Sequence, residues 1–283
     1  MTKTSRFFSA SIVRALLCVL LALFSDVFLS QSHAALLTLI DNNSSADFDT
    51  ATPANNYNWF VDNTDLLAQQ AFWYRIGPNG PESSVHTLPI GVQGTTDANF
   101  DGNPDTLFVR YNGGNFLIET RYTLDGGTPG SGNSDMGEQI SIINLTAAPL
   151  DFHFFQYADF DLSAADTVIF TNPNTVDQTG GNLRLSETVV TPVPSHHEAA
   201  FFPVTLNKLN DGLPTTLIDN AGAGAGDVTW AFQWDTLVPP SGSFQISKDK
   251  NLTRTPPIPE PGTGCLLAIA IGLFLTGLRK RTL

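Results

Sequence analysis

The residues best placed to do chemistry lie between Asp97 and Asp105. In Asp97-Ala98-Asn99-Phe100-Asp101-Gly102-Asn103-Pro104-Asp105, five oxygen-bearing side chains alternate and a glycine stands sixth. Hard oxygen donors wrapped around a glycine turn are the ligand set that calcium prefers. The twelfth position, where a bidentate acid closes such a loop, is Phe108, and Phe100 is bulky for a wrapped chain. An Asp/Asn/Gly-rich connection between two strands is the competing reading. Asp97, Asn99, Asp101, Asn103 and Asp105 are therefore candidate calcium ligands, and Ca2+ is the one cofactor the sequence suggests.

Other clusters carry less. His196-His197-Glu198 is the one histidine pair. Neighbours on an extended chain point to opposite faces, so the two rings would not converge on one metal. The segment after Pro192 and Pro194 reads as a loop, where that objection weakens; a structural or solvated pair is still the better expectation. Asp159, Asp161 and Asp166 include the paired carboxylates that acid chemistry on sugars needs, but in a chain this rich in acids such pairs arise by chance. Gly222, Gly224 and Gly226 precede a strand rather than a helix, which reads as a flexible loop and not a phosphate cradle. No GxSxG elbow or HExxH pair occurs. No catalytic residue is assigned, and the chain is read as a non-enzyme. Trp59, Trp73, Tyr74, Trp230 and Trp234 are the inventory for sugar stacking. Trp230 and Trp234 share a strand face with Val228 and Phe232, which points to the core.

The elements that must position these residues are short strands. Leu107, Val109 and Tyr111 alternate, Asn112-Gly113-Gly114-Asn115 turns the chain, and Phe116, Ile118, Thr120, Tyr122 and Leu124 alternate again. That is a hairpin signature. Val228–Trp234 and Phe152–Tyr157 alternate in the same way. Further candidates are Leu36–Ile40, Asn58–Val61, Ala71–Ile76, Gln139–Asn144, Thr167–Thr171, Leu183–Val190, Ala199–Leu206 and Ser243–Ser247. The longest helical stripe is Asp62–Gln70. About a dozen strands with turn signals between them predict an all-β domain, an antiparallel β-sandwich of jelly-roll type. A barrel or two small sandwiches would read much the same. No repeat of fixed period argues for a propeller or solenoid.

Composition narrows the partners. Both cysteines, Cys18 and Cys265, lie in apolar runs near the ends, which excludes a disulfide framework, a cysteine nucleophile and thiolate-ligated zinc from residues 35–255. That span holds eight Lys and Arg against 25 Asp and Glu, a net charge of −17. Such a surface repels nucleic acid and anionic lipid and attracts divalent cations. It also suffices to keep an exported domain soluble.

The ends address the chain. Lys3, Arg6 and Arg14 precede an apolar run from Ala15 to Phe24, broken by Asp26, and Ser32 and Ala34 fit a cut between Ala34 and Ala35. This is a secretory signal, too short to favour a retained span. At the other end, Thr255–Gly264 is proline-rich, an apolar run extends from Cys265 to Leu278, and Arg279-Lys280-Arg281 follows. The basic cluster would hold the end on the cytoplasmic side. Pro259-Glu260-Pro261, an apolar helix and a basic end together resemble the PEP-CTERM sorting signal. That resemblance implies processing by an exosortase, a membrane-embedded transpeptidase, in a Gram-negative bacterium that makes exopolysaccharide or biofilm matrix. A simple membrane anchor would share the topology without the processing. FWYRIG, FHFFQYADFDL, VPSHHEAA and VTWAFQWD are similar to uncharacterised ectodomains of that group and imply no activity.

The resulting plan is a signal peptide over residues 1–34, an extracellular domain over 35–252, a Pro-rich linker with the sorting tripeptide over 253–264, and a C-terminal helix with its basic end over 265–283. Its partners are the export machinery and signal peptidase, then exosortase, with the membrane engaged through the C-terminal helix before processing. Three roles follow in order: a surface or matrix component without catalysis, a carbohydrate-binding module for exopolysaccharide, and a secreted hydrolase. The second needs an exposed aromatic row, and the third needs a cleft with facing carboxylates.

Overall fold

The alternation between Leu107 and Leu124 makes the hairpin it predicts. In the computed structural model, which describes residues 36–255, Thr106–Asn112 pairs antiparallel with Phe116–Gly126. Leu107, Val109, Tyr111, Phe116, Ile118, Tyr122 and Leu124 are all buried. Gly114 takes a positive φ of 81° in the turn, and its amide donates to Asn112 Oδ1 at 2.9 Å. An Asn-Gly turn of this kind sets the register of the pair.

Among the described residues the strands form two sheets of nine. From edge to edge the first runs Leu36–Asp41, Ser44–Asp49, Asn55–Val61, Leu67–Ile76, Leu150–Phe160, Val228–Val238, His196–Phe201, with Thr64–Asp65 and Ser83–Ser84 as short additions. The second runs Gly222–Gly226, Asp166–Asn172, Thr175–Gly180, Leu183–Thr191, Ser243–Arg254, Ser134–Asn144, Phe116–Gly126, Thr106–Asn112, Ile90–Thr96. Pairing is antiparallel apart from a brief parallel contact at Gln70. The all-β expectation holds. Each sheet is wider than in a jelly roll, which distributes eight strands over both.

The sheets share one core. Phe48, Phe72, Phe154, Trp230, Phe232 and Trp234 come from the first, and Val109, Ile118, Tyr122, Ile140, Leu185 and Ile246 from the second. Rings meet across the interface, with Phe48 and Tyr122 centroids 4.7 Å apart. Each such large apolar side chain contributes about 1.5–3 kcal/mol on burial. The first sheet is also covered on its far side. There Ala71, Trp73, Phe155 and Tyr157 pack against Leu209, next to the helix Val204–Lys208. Strands buried on both faces lose their polar alternation, as Phe154–Phe160 and Val228–Trp234 do.

Four local expectations are corrected. The helical stripe Asp62–Gln70 is strand, in Thr64–Asp65 and Leu67–Ile76, because Leu67, Ala71 and Phe72 feed a sheet. The strand expected to run to Leu206 ends at Phe201, and Val204–Lys208 is helical beyond Pro203. The loop expected after Pro194 is strand from His196, held by pairing with Val228–Val238. Gly222–Gly226 is an edge strand paired with Asp166–Asn172 rather than a flexible loop. A Cβ on Gly222 would sit 2.3 Å from the Val168 carbonyl, so this close approach needs glycine.

Candidate functional site

An acidic pocket at one end of the first sheet gathers the residues best able to bind or react. Asp159 is the penultimate residue of Leu150–Phe160, and Asp161 follows the end of that strand. Residues two apart on an extended chain face the same way. In the pairing with Val228–Val238, Asp159 lies opposite Thr229, and Asp227 comes two residues before Thr229. The diagonal neighbour across an antiparallel pair shares its face. The register thus brings Asp159, Asp161 and Asp227 together, with one carboxylate oxygen of each within 4.8 Å of the others.

The three line a pocket of 390 Å³ with Ala54, Ala68, Gln69 and Phe202. Asp159 is only 5% exposed, whereas Asp161 and Asp227 reach solvent. The Tyr157 hydroxyl donates to Asp159 Oδ2 at 3.3 Å. Asp159 Oδ1 is buried with no hydrogen-bond partner. Burial, reinforced by the charges of Asp227 and Asp161, pushes the Asp159 carboxyl up to about 7. Burial, with Asp227, Asp166 and Asp65 nearby, also raises Asp161. Within the described residues none of the three makes an ion pair. They form a concentrated, unneutralised set of hard oxygen donors, able to take a cation, share a proton or accept hydroxyl donors.

Of the sequence candidates here, Asp159 and Asp161 meet and Asp166 does not. Asp166 Oδ2 accepts from the Leu162 amide and from Gln178 Nε2, each at 2.8 Å, so it ties the chain end down. Asp227 escaped the sequence reading. Its signal is positional: it lies between the glycine strand and the Trp-rich strand, two residues out of register with Asp159.

The loop from Asp97 to Asp105 turns the side-chain oxygens of Asp97, Asn99, Asp101 and Asp105 toward its own backbone. Asp97 accepts from the amides of Phe100 at 2.6 Å, Asp101 at 3.2 Å and Gly102 at 2.9 Å. Asn99 Oδ1 accepts from the Asp101 amide and Asp101 Oδ1 from the Asn103 amide. Asp105 is buried and accepts from Ala98 and Asn99, while Asn99 Nδ2 donates to Asp41.

His153, His196 and His197 are tied to carboxylates, and His86 Nδ1 lies 2.6 Å from Ser84 Oγ. His196 Nδ1 lies 2.7 Å from Asp219 Oδ2, and His197 Nδ1 lies 3.3 Å from Asp219 Oδ1. The His197 ring packs against Phe170 on the core side, with centroids 4.2 Å apart. His153 Nδ1 lies 2.5 Å from Asp235 Oδ1. As for sugar stacking, Trp59, Trp73, Trp230 and Trp234 are all buried. Tyr74 is half-buried and stacks on Phe152.

A second charged group lies between the sheets. Glu138 stands directly opposite Lys248, and Glu187 opposite Lys250, on three adjacent strands. All four are essentially inaccessible. Both lysines bond Glu138; Lys248 also lies 3.1 Å from Glu187 and Lys250 3.6 Å from it. The facing sheet supplies Gln70 to Glu138 at 2.8 Å, and Gln156 at 2.8 Å and Trp230 Nε1 at 3.0 Å to Glu187. Burial alone would raise Glu138, but the Lys248 and Lys250 ammoniums outweigh it and bring the carboxyl to about 2.

Residues 257–281 match the PEP-CTERM protein-sorting motif. That motif implies export to the cell envelope or surface and processing by exosortase. The motif, including Pro259, Glu260 and Pro261, lies outside the described residues, as do Ala34 and Ala35. Among the described residues no helix is long and apolar enough to cross a membrane. No curated protein matches the chain in sequence. In fold it is similar to part of a bacterial glucoamylase complexed with acarbose, with a TM-score of 0.55 and 8% identity over 76% of this chain and 31% of that one. It is also similar to a putative aldose 1-epimerase from Escherichia coli K12, with a TM-score of 0.50 and 9% identity over 78% of this chain and 99% of that one. The chain thus spans less than a third of the glucoamylase's length, and at these identities the likeness is of fold alone.

Proposed function

We propose that the protein is a surface or extracellular-matrix component of a Gram-negative bacterium, retained in exopolysaccharide or biofilm after sorting, and without catalytic activity. The observation that carries this reading is the sorting motif at residues 257–281. The acidic domain suits life outside the cell, since its net charge of −17 favours solubility. We read its two facing sheets as an enlarged β-sandwich on jelly-roll lines, delivered by a signal peptide cut before Ala35. Glu260→Ala tests the sorting step in a host that has exosortase. The variant is expected to stay in the membrane fraction with its C-terminal run attached, while released parent protein begins at Ala35. Equal release of parent and variant would reduce the tail to a plain anchor.

A second reading is carbohydrate binding, and one observation favours it. The pocket joins the three carboxylates to Gln69 and to Phe202, which is 46% exposed. Acidic acceptors beside an aromatic face suit a polyhydroxylated ligand, and one protein of similar fold was solved with acarbose bound. Failure of the host's own exopolysaccharide to retain the protein in a pull-down would remove this reading, and would reduce the first to a sorted surface component held by something other than exopolysaccharide. The buried tryptophans offer it no stacking row. A hydrolase stands third, since facing carboxylates alone do not define a reaction.

A further inference from the structure

We propose that Asp159, Asp161 and Asp227 bind one divalent cation, calcium by ligand type, in the pocket at the end of the first sheet. The inference stands independently of how the chain is sorted. Its geometry comes from strand register, as derived above, and not from a loop that must close around the ion. Three carboxylate oxygens within 4.8 Å of one another surround a point that each can reach. Calcium holds its oxygens at about 2.3–2.6 Å, so ligands on opposite sides of one ion stand up to about 5 Å apart.

A cluster of acids on a surface would not suffice, because exposed carboxylates are hydrated and content alone. Asp159 differs. It is 5% exposed, and its Oδ1 has neither water access nor a donor from the protein. A buried carboxylate oxygen without a partner is costly, and protein interiors rarely leave one so. Its neighbours add to the difficulty, since Asp161 and Asp227 bring like charge and the described residues place no Lys or Arg in an ion pair with any of the three. A cation bound by the three would partner the Asp159 carboxylate and give the cluster a counter-charge.

The chemistry of the set narrows the ion. All three donors are hard oxygens, with no imidazole or thiolate among them, which suits calcium or magnesium over zinc or copper. Three side chains fall short of the six to eight oxygens that calcium takes. The 390 Å³ pocket leaves room for waters to complete the shell. Calcium tolerates such an irregular, partly open arrangement, whereas magnesium demands a near-octahedral one.

The test is calorimetric titration of the metal-free full chain in detergent with calcium chloride, then with magnesium chloride. The expected result is one calcium ion per chain, with magnesium weaker. Asp161→Asn and Asp227→Asn should each weaken binding by at least about tenfold, since calcium affinity follows ligand charge. Both positions are exposed, so neither substitution alters a buried side chain as Asp159→Asn would. Asp101→Asn, in the loop between Asp97 and Asp105, should bind as the parent does. No calcium heat in the parent would overturn the proposal. So would binding that survives Asp227→Asn, or binding lost in Asp101→Asn alone, which would place the ion in that loop. A sorting defect in Glu260→Ala bears on none of these outcomes, so the two readings fail separately.

Discussion

Two of the protein's carboxylate clusters, each with buried members, are treated in opposite ways. Between the sheets, Glu138 and Glu187 meet Lys248 and Lys250, two charges of each sign, with Gln70, Gln156 and Trp230 supplying further hydrogen bonds. At the sheet end, Asp159, Asp161 and Asp227 gather with no cation from the described chain and leave one buried oxygen unbonded. In the first group every carboxylate oxygen has a partner from the chain and the charges balance, while only the amide oxygens of Gln70 and Gln156 go unbonded. The second group has like charges alone and the form of a site awaiting something from outside. A fold that solves charge burial so fully in one place leaves it unsolved in another where the pocket opens to solvent. That contrast locates function better than the number of acids does.

The largest effect expected from breaking the contrast lies in the quartet. Lys250→Met leaves Glu138 and Glu187 with one ammonium between them in a closed interior. Removing one partner of a buried ion pair typically costs about 3–5 kcal/mol, and denaturant unfolding should show a loss of that order. Asp227→Asn should act with the opposite sign in metal-free protein, because it removes like charge from the trio. For exposed charges the gain is about 1 kcal/mol or less. If both substitutions destabilise equally, the two regions are not electrostatic opposites and the comparison collapses.

Acidity separates the regions next. Glu138 is lowered from 4.5 to about 2, by lysine charges that outweigh burial. Its stabilisation is therefore present above about pH 4.5 and is lost as pH falls toward 2. Asp159 is raised from 3.8 to about 7 by burial and then by Asp227 and Asp161, with Tyr157 also facing it. Ionising it costs the fold, so metal-free protein gains stability from this group as pH falls from about 7 to about 4. Urea midpoints measured in EDTA should rise over the upper window and fall below the lower one. Asp159→Asn should flatten the rise and leave the acid-side loss. A rise of equal size in Asp159→Asn would assign it to other acids.

Much of this was written in the sequence, and the parts that were not share a cause. Alternation from Leu107 to Leu124 gave the hairpin because one face is buried and the other is not. The quartet was also legible in principle. Glu138 stands among Met136 and Ile140, and Lys248 and Lys250 between Ile246 and Leu252, all on core-facing positions. A charge in that register is a buried charge, but its partner depends on which strands are neighbours, and Ser243–Arg254 lies between two strands far off in the chain. Asp227 needed the same long-range pairing. The pairing partners of two other segments also lie far off in the chain, which is why Asp62–Gln70 shows a helical stripe and the residues just after Pro194 read as a loop.

The smallest expected effect is in the loop that the sequence made most prominent, and it completes the contrast. In that loop the carboxylates have a third arrangement, neither paired with lysines nor left unbonded but capping backbone amides. Asp101 is exposed, and its Oδ1 accepts from the Asn103 amide at 2.8 Å. Asp101→Ala removes that one exposed hydrogen bond, and surface changes of this kind usually stay within about 0.5 kcal/mol. Asp97 caps three amides, so Asp97→Ala should cost more, about 1 kcal/mol, in line with the loss of a helix-type cap. Thermal unfolding in EDTA and in millimolar calcium separates structure from ligation. If calcium stabilises the parent and Asp101→Ala alike, the loop is a self-capped turn and the ion is elsewhere. If the calcium shift vanishes in Asp101→Ala while persisting in Asp227→Asn, the alternating oxygens of Asp97 to Asp105 must turn outward to ligate. The amides they now cap would then be released to water.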